Sequence, residues 1–163
     1  MSKEIFLSED TLITSKTDLS GKIVYANEDF LKYAGYGMAD VLNKPHNIVR
    51  HKNMPRVVFK FLWQYVKEGK EIFAFVKNKA KNGDFYWVFA NITPSFDLNG
   101  NIIGYYSVRR APNKKAITDI EKLYSQLLEA EKISIQNSIT LLSDFCKNSQ
   151  KSYNELIFDL QNS

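Results

Sequence analysis

Cysteine is nearly absent: the 163 residues hold one, Cys146. A disulfide framework and a multi-cysteine zinc or iron–sulfur site are therefore excluded within one chain, and a reducing compartment is the expectation. No run approaches the roughly 20 apolar residues of a membrane span. The first residues, Met1-Ser2-Lys3-Glu4, carry an acid at once and no long apolar stretch follows, so a signal peptide is not expected. No phosphate-binding Walker loop, dinucleotide-binding glycine fingerprint or G-x-S-x-G elbow occurs, and no carboxylate–histidine pattern of metal-binding spacing. Nothing marks an enzyme. Glycine and proline are missing from one region altogether. All seven glycines and all four prolines lie before residue 113.

Aromatic residues, by contrast, reach 13%, enough for a well-filled core or an aromatic-walled pocket and too many for a disordered chain. Charge is uneven, with a balance of +7 over residues 1–115 and −3 over residues 116–163. The basic excess gathers at Arg50, Lys52, Arg56 and Lys60, and again at Lys77, Lys79 and Lys81. No nucleic-acid-binding motif accompanies it. A small anionic ligand is the better use of such a cluster.

The breaker-rich part reads as an α+β domain. Thr11–Lys16 and Lys22–Ala26 form β-type runs turned through Ser20-Gly21. Asn27 is a helix N-cap candidate and Gly35 ends that helix. A further helical turn covers Ala39–Leu42. Pro55 starts, and Gly69 closes, a helix over Arg56–Lys67. Three β-type runs follow, Glu71–Lys79, Phe85–Thr93 and Ile102–Arg109. Asn82-Gly83 and Asn99-Gly100 separate them as tight hairpin turns. The expected layout is a five-stranded antiparallel sheet with short helices on one side.

Beyond residue 112, Ile117, Ile120, Tyr124 and Leu127 form an apolar stripe. Leu128, Ile135, Ile139, Leu142, Phe145 and Cys146 continue it in shifted phase, and Tyr153, Leu156 and Leu160 close it. Unbroken, such a helix would span about 75 Å. That favours a coiled-coil-like tail for dimerisation or a partner helix over one bent back on its own domain.

The most specific segment is Pro45-His46-Asn47-Ile48-Val49-Arg50-His51-Lys52-Asn53-Met54-Pro55. Val76-Lys77-Asn78-Lys79, Lys81-Asn82-Gly83-Asp84-Phe85-Tyr86-Trp87-Val88 and Gly104-Tyr105-Tyr106-Ser107-Val108-Arg109 accompany it. Together they resemble the PAS domain of bacterial aerotaxis receptors, over about residues 11–112. The whole chain resembles stand-alone cytoplasmic energy-taxis proteins of the CetB type. The resemblance implies a PAS fold in three parts: a cap at 1–10, a sensor domain at 11–112 and a helical signalling tail at 113–163. It implies bound FAD that senses redox state. Arg50, His51 and Asn53 match positions associated with FAD. Asn27, Phe59, Trp63 and Asn78 match pocket or signalling positions. The family usually has aspartate at the place of Asn53 and tryptophan at that of Ile72.

The residue chemistry is compatible with this assignment. Arg50 offers a bidentate fork for phosphate oxygens. His51 can donate a hydrogen bond. Asn27 and Asn78 can serve a polar ring edge, and Phe59, Trp63 and Tyr86 can wall a slot. Each also has a plain structural use: a salt bridge for Arg50, capping or packing for the histidines, core packing for Phe59 and Trp63. Haem is the rival cofactor, with His46 or His51 as axial ligand. Five residues apart, the two would differ by about 140° around one regular helix and could not share a metal from it. A cofactor-free interaction module is the third possibility. The implied partners are a membrane-bound methyl-accepting chemotaxis transducer and a second copy of the chain. Neither nucleic acid nor membrane insertion is expected, and the implied location is cytoplasmic, reaching the membrane only through the transducer.

Overall fold

The computed structural model describes residues 2–163. Asn27 organises its first corner. The side-chain oxygen accepts from the backbone N–H of Phe30 at 3.0 Å, capping α1 (Glu28–Ala34), and from that of Thr14 at 3.1 Å. Its amide donates to the Leu12 carbonyl at 2.8 Å. One side chain thus fixes a helix start to the hairpin of β1 (Ile13–Thr17) and β2 (Ile23–Ala26). Gly35 ends α1 in the left-handed conformation. The short α2 (Met38–Val41), a 3-10 turn at His46–Val49 and α3 (Arg56–Lys67) follow.

The remaining strands are β3 (Ile72–Lys79), β4 (Phe85–Phe96) and β5 (Ile102–Arg110). The five form one antiparallel sheet in the order β2-β1-β5-β4-β3. β4 runs past its expected end at Thr93 and includes Pro94. β3 stops pairing at Ile72–Ile92, so no neighbour on that side misses the proline's N–H. The two Asn-Gly turns also differ from expectation. Only Gly83 and Gly100 take positive φ, and Asn82 and Asn99 do not. The connections are therefore longer loops, not two-residue hairpins needing both residues left-handed.

The pleat divides the sheet's side chains. Ile72, Ala74, Val76 and Asn78 of β3 pair with Ile92, Ala90, Val88 and Tyr86 of β4 on the face toward α1 and α3. Phe73, Phe75, Trp87 and Phe89 lie on the other face. The tail covers that second face and wraps around the β3 edge. It is helical but not one long helix. It forms α4 (Lys114–Ile133), α5 (Ile135–Ser149) and α6 (Tyr153–Gln161). The expected extended run fails because Ser134 and Ser152 act as N-caps, accepting from the backbone N–H groups of Asn137 and Glu155, while Gln150 takes a left-handed conformation. Helices can be broken by capping residues without glycine or proline.

Each tail helix then finds a partner within the chain. The Tyr124 hydroxyl on α4 donates to the Phe75 carbonyl, and its ring meets Trp87 at 5.9 Å. Tyr153 packs edge-on against Phe61 and Tyr65 of α3. Phe158 of α6 packs on Phe73, which stacks in turn on Phe89.

Candidate functional site

Between the inner sheet face, the 3-10 turn and α3 lies a cavity of about 250 Å³. Phe59, Trp63 and Tyr105 give it an aromatic side; Val66, Val76, Ala90 and Ile92 give it an apolar floor. Trp63 and Tyr105 meet edge to face at 5.3 Å. Arg50 enters from the rim with its guanidinium 3.9 Å above the Phe59 ring. A backbone bridge sets Arg50 beside Asn78 of β3.

The inner end of the cavity is polar. Arg109 of β5 is buried there and, among the described residues, forms no ion pair with a carboxylate. It donates to the Ser107 hydroxyl at 2.9 Å, to the Ser15 hydroxyl at 2.7 Å and to Nε2 of His46. Ser15 lies 2.9 Å from the same Nε2. Arg109 can only donate, so His46 Nε2 accepts and the neutral ring carries its proton on Nδ1. Burial first, and the Arg109 charge second, push the His46 pKa down to about 3. Burial lowers that of Arg109 to about 10. Burial raises that of Tyr86 to about 12, which the Arg109 charge opposes.

Three polar atoms on this cavity are buried without a partner: Thr17 Oγ1, Asn78 Nδ2 and Arg109 Nη1. An unpaired buried polar group costs about 1–3 kcal/mol, and a ligand or water molecule that partnered these three would relieve that cost. Two of the three can only donate. The ligand they suit has an acceptor-rich edge and a flat apolar body. A flavin ring meets that description.

Outside the cavity, a second and more open concavity of about 420 Å³ shares Arg50 and Asn47 with it. His51, Lys52, Met54, Arg56, Lys79 and Glu131 complete its lining. His51 Nδ1 accepts from the Asn53 backbone at 3.1 Å, and its ring packs on Phe85. Burial and the charges of Lys77, Lys52 and Lys79 lower its pKa. Arg50 is lowered by partial burial, which the Glu131 carboxylate opposes.

Of the residues singled out in the sequence, Arg50, Phe59, Trp63 and Asn78 meet on the cavity. His51 lies on the outer concavity. Asn53 has an exposed side chain and lines neither. Asn27 is the cap and clip already described, away from the cavity. Tyr86 is buried on the inner sheet face against Tyr33 and stands behind Asn78 without lining the cavity. His46 and His51 point into different spaces. A haem ligand at His46 would have to abandon Ser15 and Arg109. Among the described residues, no group of three or more His, Cys, Asp or Glu could hold a metal ion.

Sequence reading missed Ser15, Thr17 and Arg109. A signal existed on β5: Tyr105, Ser107 and Arg109 alternate along one face, which places a cation toward a core.

This architecture is that of a PAS fold, and the chain belongs to that family: residues 23–109 match the family's model. Among individual proteins, it is similar to the aerotaxis receptor of Escherichia coli (strain K12), 40% identical over 121 residues, or 74% of this chain and 24% of that protein. It is 27% identical over 104 residues to the nitrogen fixation regulatory protein of Klebsiella pneumoniae, covering 64% of this chain and 21% of that one. The biofilm dispersion protein BdlA of Pseudomonas aeruginosa is 26% identical over 88 residues, 52% of this chain and 21% of that one. The chain thus spans about a quarter or less of the length of these relatives. A light-oxygen-voltage domain studied with a flavin analogue superposes with a TM-score of 0.62 at 20% identity, over 71% of this chain and 88% of that one. The light state of the Aureochrome1 domain gives 0.58 at 24% identity, over 72% and 91%. These two establish the fold.

Proposed function

We propose that this PAS module is a redox or energy-taxis sensor that holds FAD and is not an enzyme. The observation that carries the reading is the set of unpartnered buried groups, Thr17 Oγ1, Asn78 Nδ2 and Arg109 Nη1, around one aromatic-walled cavity. The similarity to an aerotaxis receptor supports the taxis role. Asn78 and Arg109 would donate to the ring edge, Phe59 and Trp63 would flank the ring, and Arg50 and His51 would face the phosphates. When bound, a flavin supplies reversible electron uptake that changes which of its edge atoms carry protons.

The chain's own residues provide a route outward from that edge. Asn78 lies on β3, three residues beyond Phe75, whose carbonyl accepts from Tyr124 on α4. A shift of Asn78 along β3 would move a contact that holds the tail. On this reading residues 1–10 are a cap, 11–112 the sensor and 113–163 the signalling tail. The partners are a membrane-bound methyl-accepting chemotaxis transducer and a second copy of the chain. The working location is cytoplasmic, at the membrane only through the transducer.

The test is the visible absorbance of freshly purified protein, before and after dithionite. A flavin doublet that bleaches supports the reading. A Soret band moves the cofactor to haem and the next variants to His46 and His51. Protein that stays colourless after incubation with FAD overturns the cofactor and leaves an interaction module.

A further inference from the structure

Helix α3 lacks a cap of its own. Pro55 precedes it with no side chain able to accept, and its first turn holds no acid. The missing acceptor comes from the tail. Glu131, in the last turn of α4, accepts from the Arg56 backbone N–H at 2.9 Å and lies 3.8 Å from the Arg56 guanidinium. This is a poor place for an acid on α4 itself, because the C-terminal end of a helix favours cations. The carboxylate is largely buried, with 13% of its side chain exposed.

Glu131 also lines the outer concavity, together with Arg50, His51, Lys52, Arg56 and Lys79. One carboxylate stands there against four permanent cations. That leaves the concavity short of negative charge. It shares Arg50 with the inner cavity, where Asn78 Nδ2 and Arg109 Nη1, both on residues under one-tenth exposed, lack partners. A ligand whose acceptor edge met those donors and whose anionic part passed Arg50 would arrive where the Glu131 carboxylate now sits. Phosphate groups bring more negative charge and more acceptor oxygens than one carboxylate, and would bind the cluster more strongly.

We propose that the outer concavity takes the phosphate groups of the cavity's ligand, and that Glu131 of α4 competes with them for it. Ligand binding then loosens the tip of α4 where it turns into α5. This inference rests on reading the cavity as a site for a phosphate-bearing cofactor. It adds a direct electrostatic contact between ligand and tail, separate from the route through β3. The coupling is reciprocal: whatever holds Glu131 on Arg56 weakens the phosphate contact, and the reverse.

The experiment titrates FAD, riboflavin and ADP into the full chain and into Glu131→Gln, by calorimetry. ADP carries phosphates without the flavin ring, and riboflavin the ring without phosphates. Glu131→Gln is expected to bind FAD and ADP about fivefold tighter or more, with riboflavin unchanged. In the unaltered chain, ADP is expected to speed amide exchange at residues 129–134. No gain for FAD and ADP in the variant, no ADP binding, or exchange that ADP leaves unchanged overturns the proposal. The exchange measurement needs no substitution and decides the matter if Glu131→Gln does not fold. Failure of the underlying reading looks different. If riboflavin does not bind and FAD behaves only as ADP does, both gaining in the variant, the flavin assignment falls and the competition stands.

Discussion

His46 is neutral because charging it would place a second cation beside Arg109 in a desolvated site. Its folded pKa, about 3, lies below the ordinary value of 6.5. Below that ordinary value the unfolded chain takes up a proton that the folded chain refuses, so stability falls with falling pH across the window from 6.5 toward 3. Between about pH 7.5 and about pH 5 the loss from this residue is on the order of 2 kcal/mol. His51 is depressed as well and acts in the same direction. Urea unfolding at the two pH values should show a clear drop for the native chain and a much smaller one for His46→Gln. Equal drops would mean that His46 is not the group responsible. The same cluster shows where sequence reading stops. Arg50, Phe59 and Trp63 were legible because the family resemblance carried their positions. Arg109 was not, because which face of a strand meets a cavity depends on how the sheet is covered.

At the scale of elements, β3 is an edge strand, and exposed edges invite pairing with other chains. Here α6 closes part of it. Asn154 accepts from the Phe73 backbone N–H at 2.9 Å and donates to the Glu71 carbonyl at 2.9 Å, standing in for a neighbouring strand. Asn154→Ala leaves both groups without their partner and should cost about 1–2 kcal/mol. Amide exchange at Phe73 and along α6 should rise together. Protection that persists at Phe73 would show that the clasp is not what closes the edge. The early elements were legible because Asn27, Gly35, Pro55 and Gly69 punctuate them in the usual way. In the tail the punctuation was serine. Ser152-Tyr153-Asn154-Glu155 has the spacing of a capping box, and Ser134 lies three residues before Asn137. A search for glycine and proline passes over both.

For the molecule as a whole, the tail serves as a cover. Phe73, Phe75, Trp87 and Phe89 lie on the sheet face that α4 and α6 protect. The start of the tail is tied to its end as well, since Asn113 donates to the carbonyls of Gln161 and Ser163. Removing residues 113–163 should expose a contiguous aromatic face. The truncated chain is expected to bind a hydrophobic dye strongly and to associate in size-exclusion chromatography. A monodisperse truncated monomer that binds no dye would mean that the sheet is sealed without the tail. The apolar stripes were visible in sequence. What they meet was not, because the same spacing serves a partner helix and the chain's own sheet equally well.

The solitary arginine of the inner cavity bears on supply. Folding the ligand-free chain removes a cation from water without giving it a counter-charge, and leaves two further polar atoms dry. A ligand that satisfies those groups binds the folded chain and not the unfolded one, so its free concentration sets how much folded protein exists. On the proposed reading, a cell short of the cofactor would hold fewer sensors, because quality control would clear the unliganded chains before they could report.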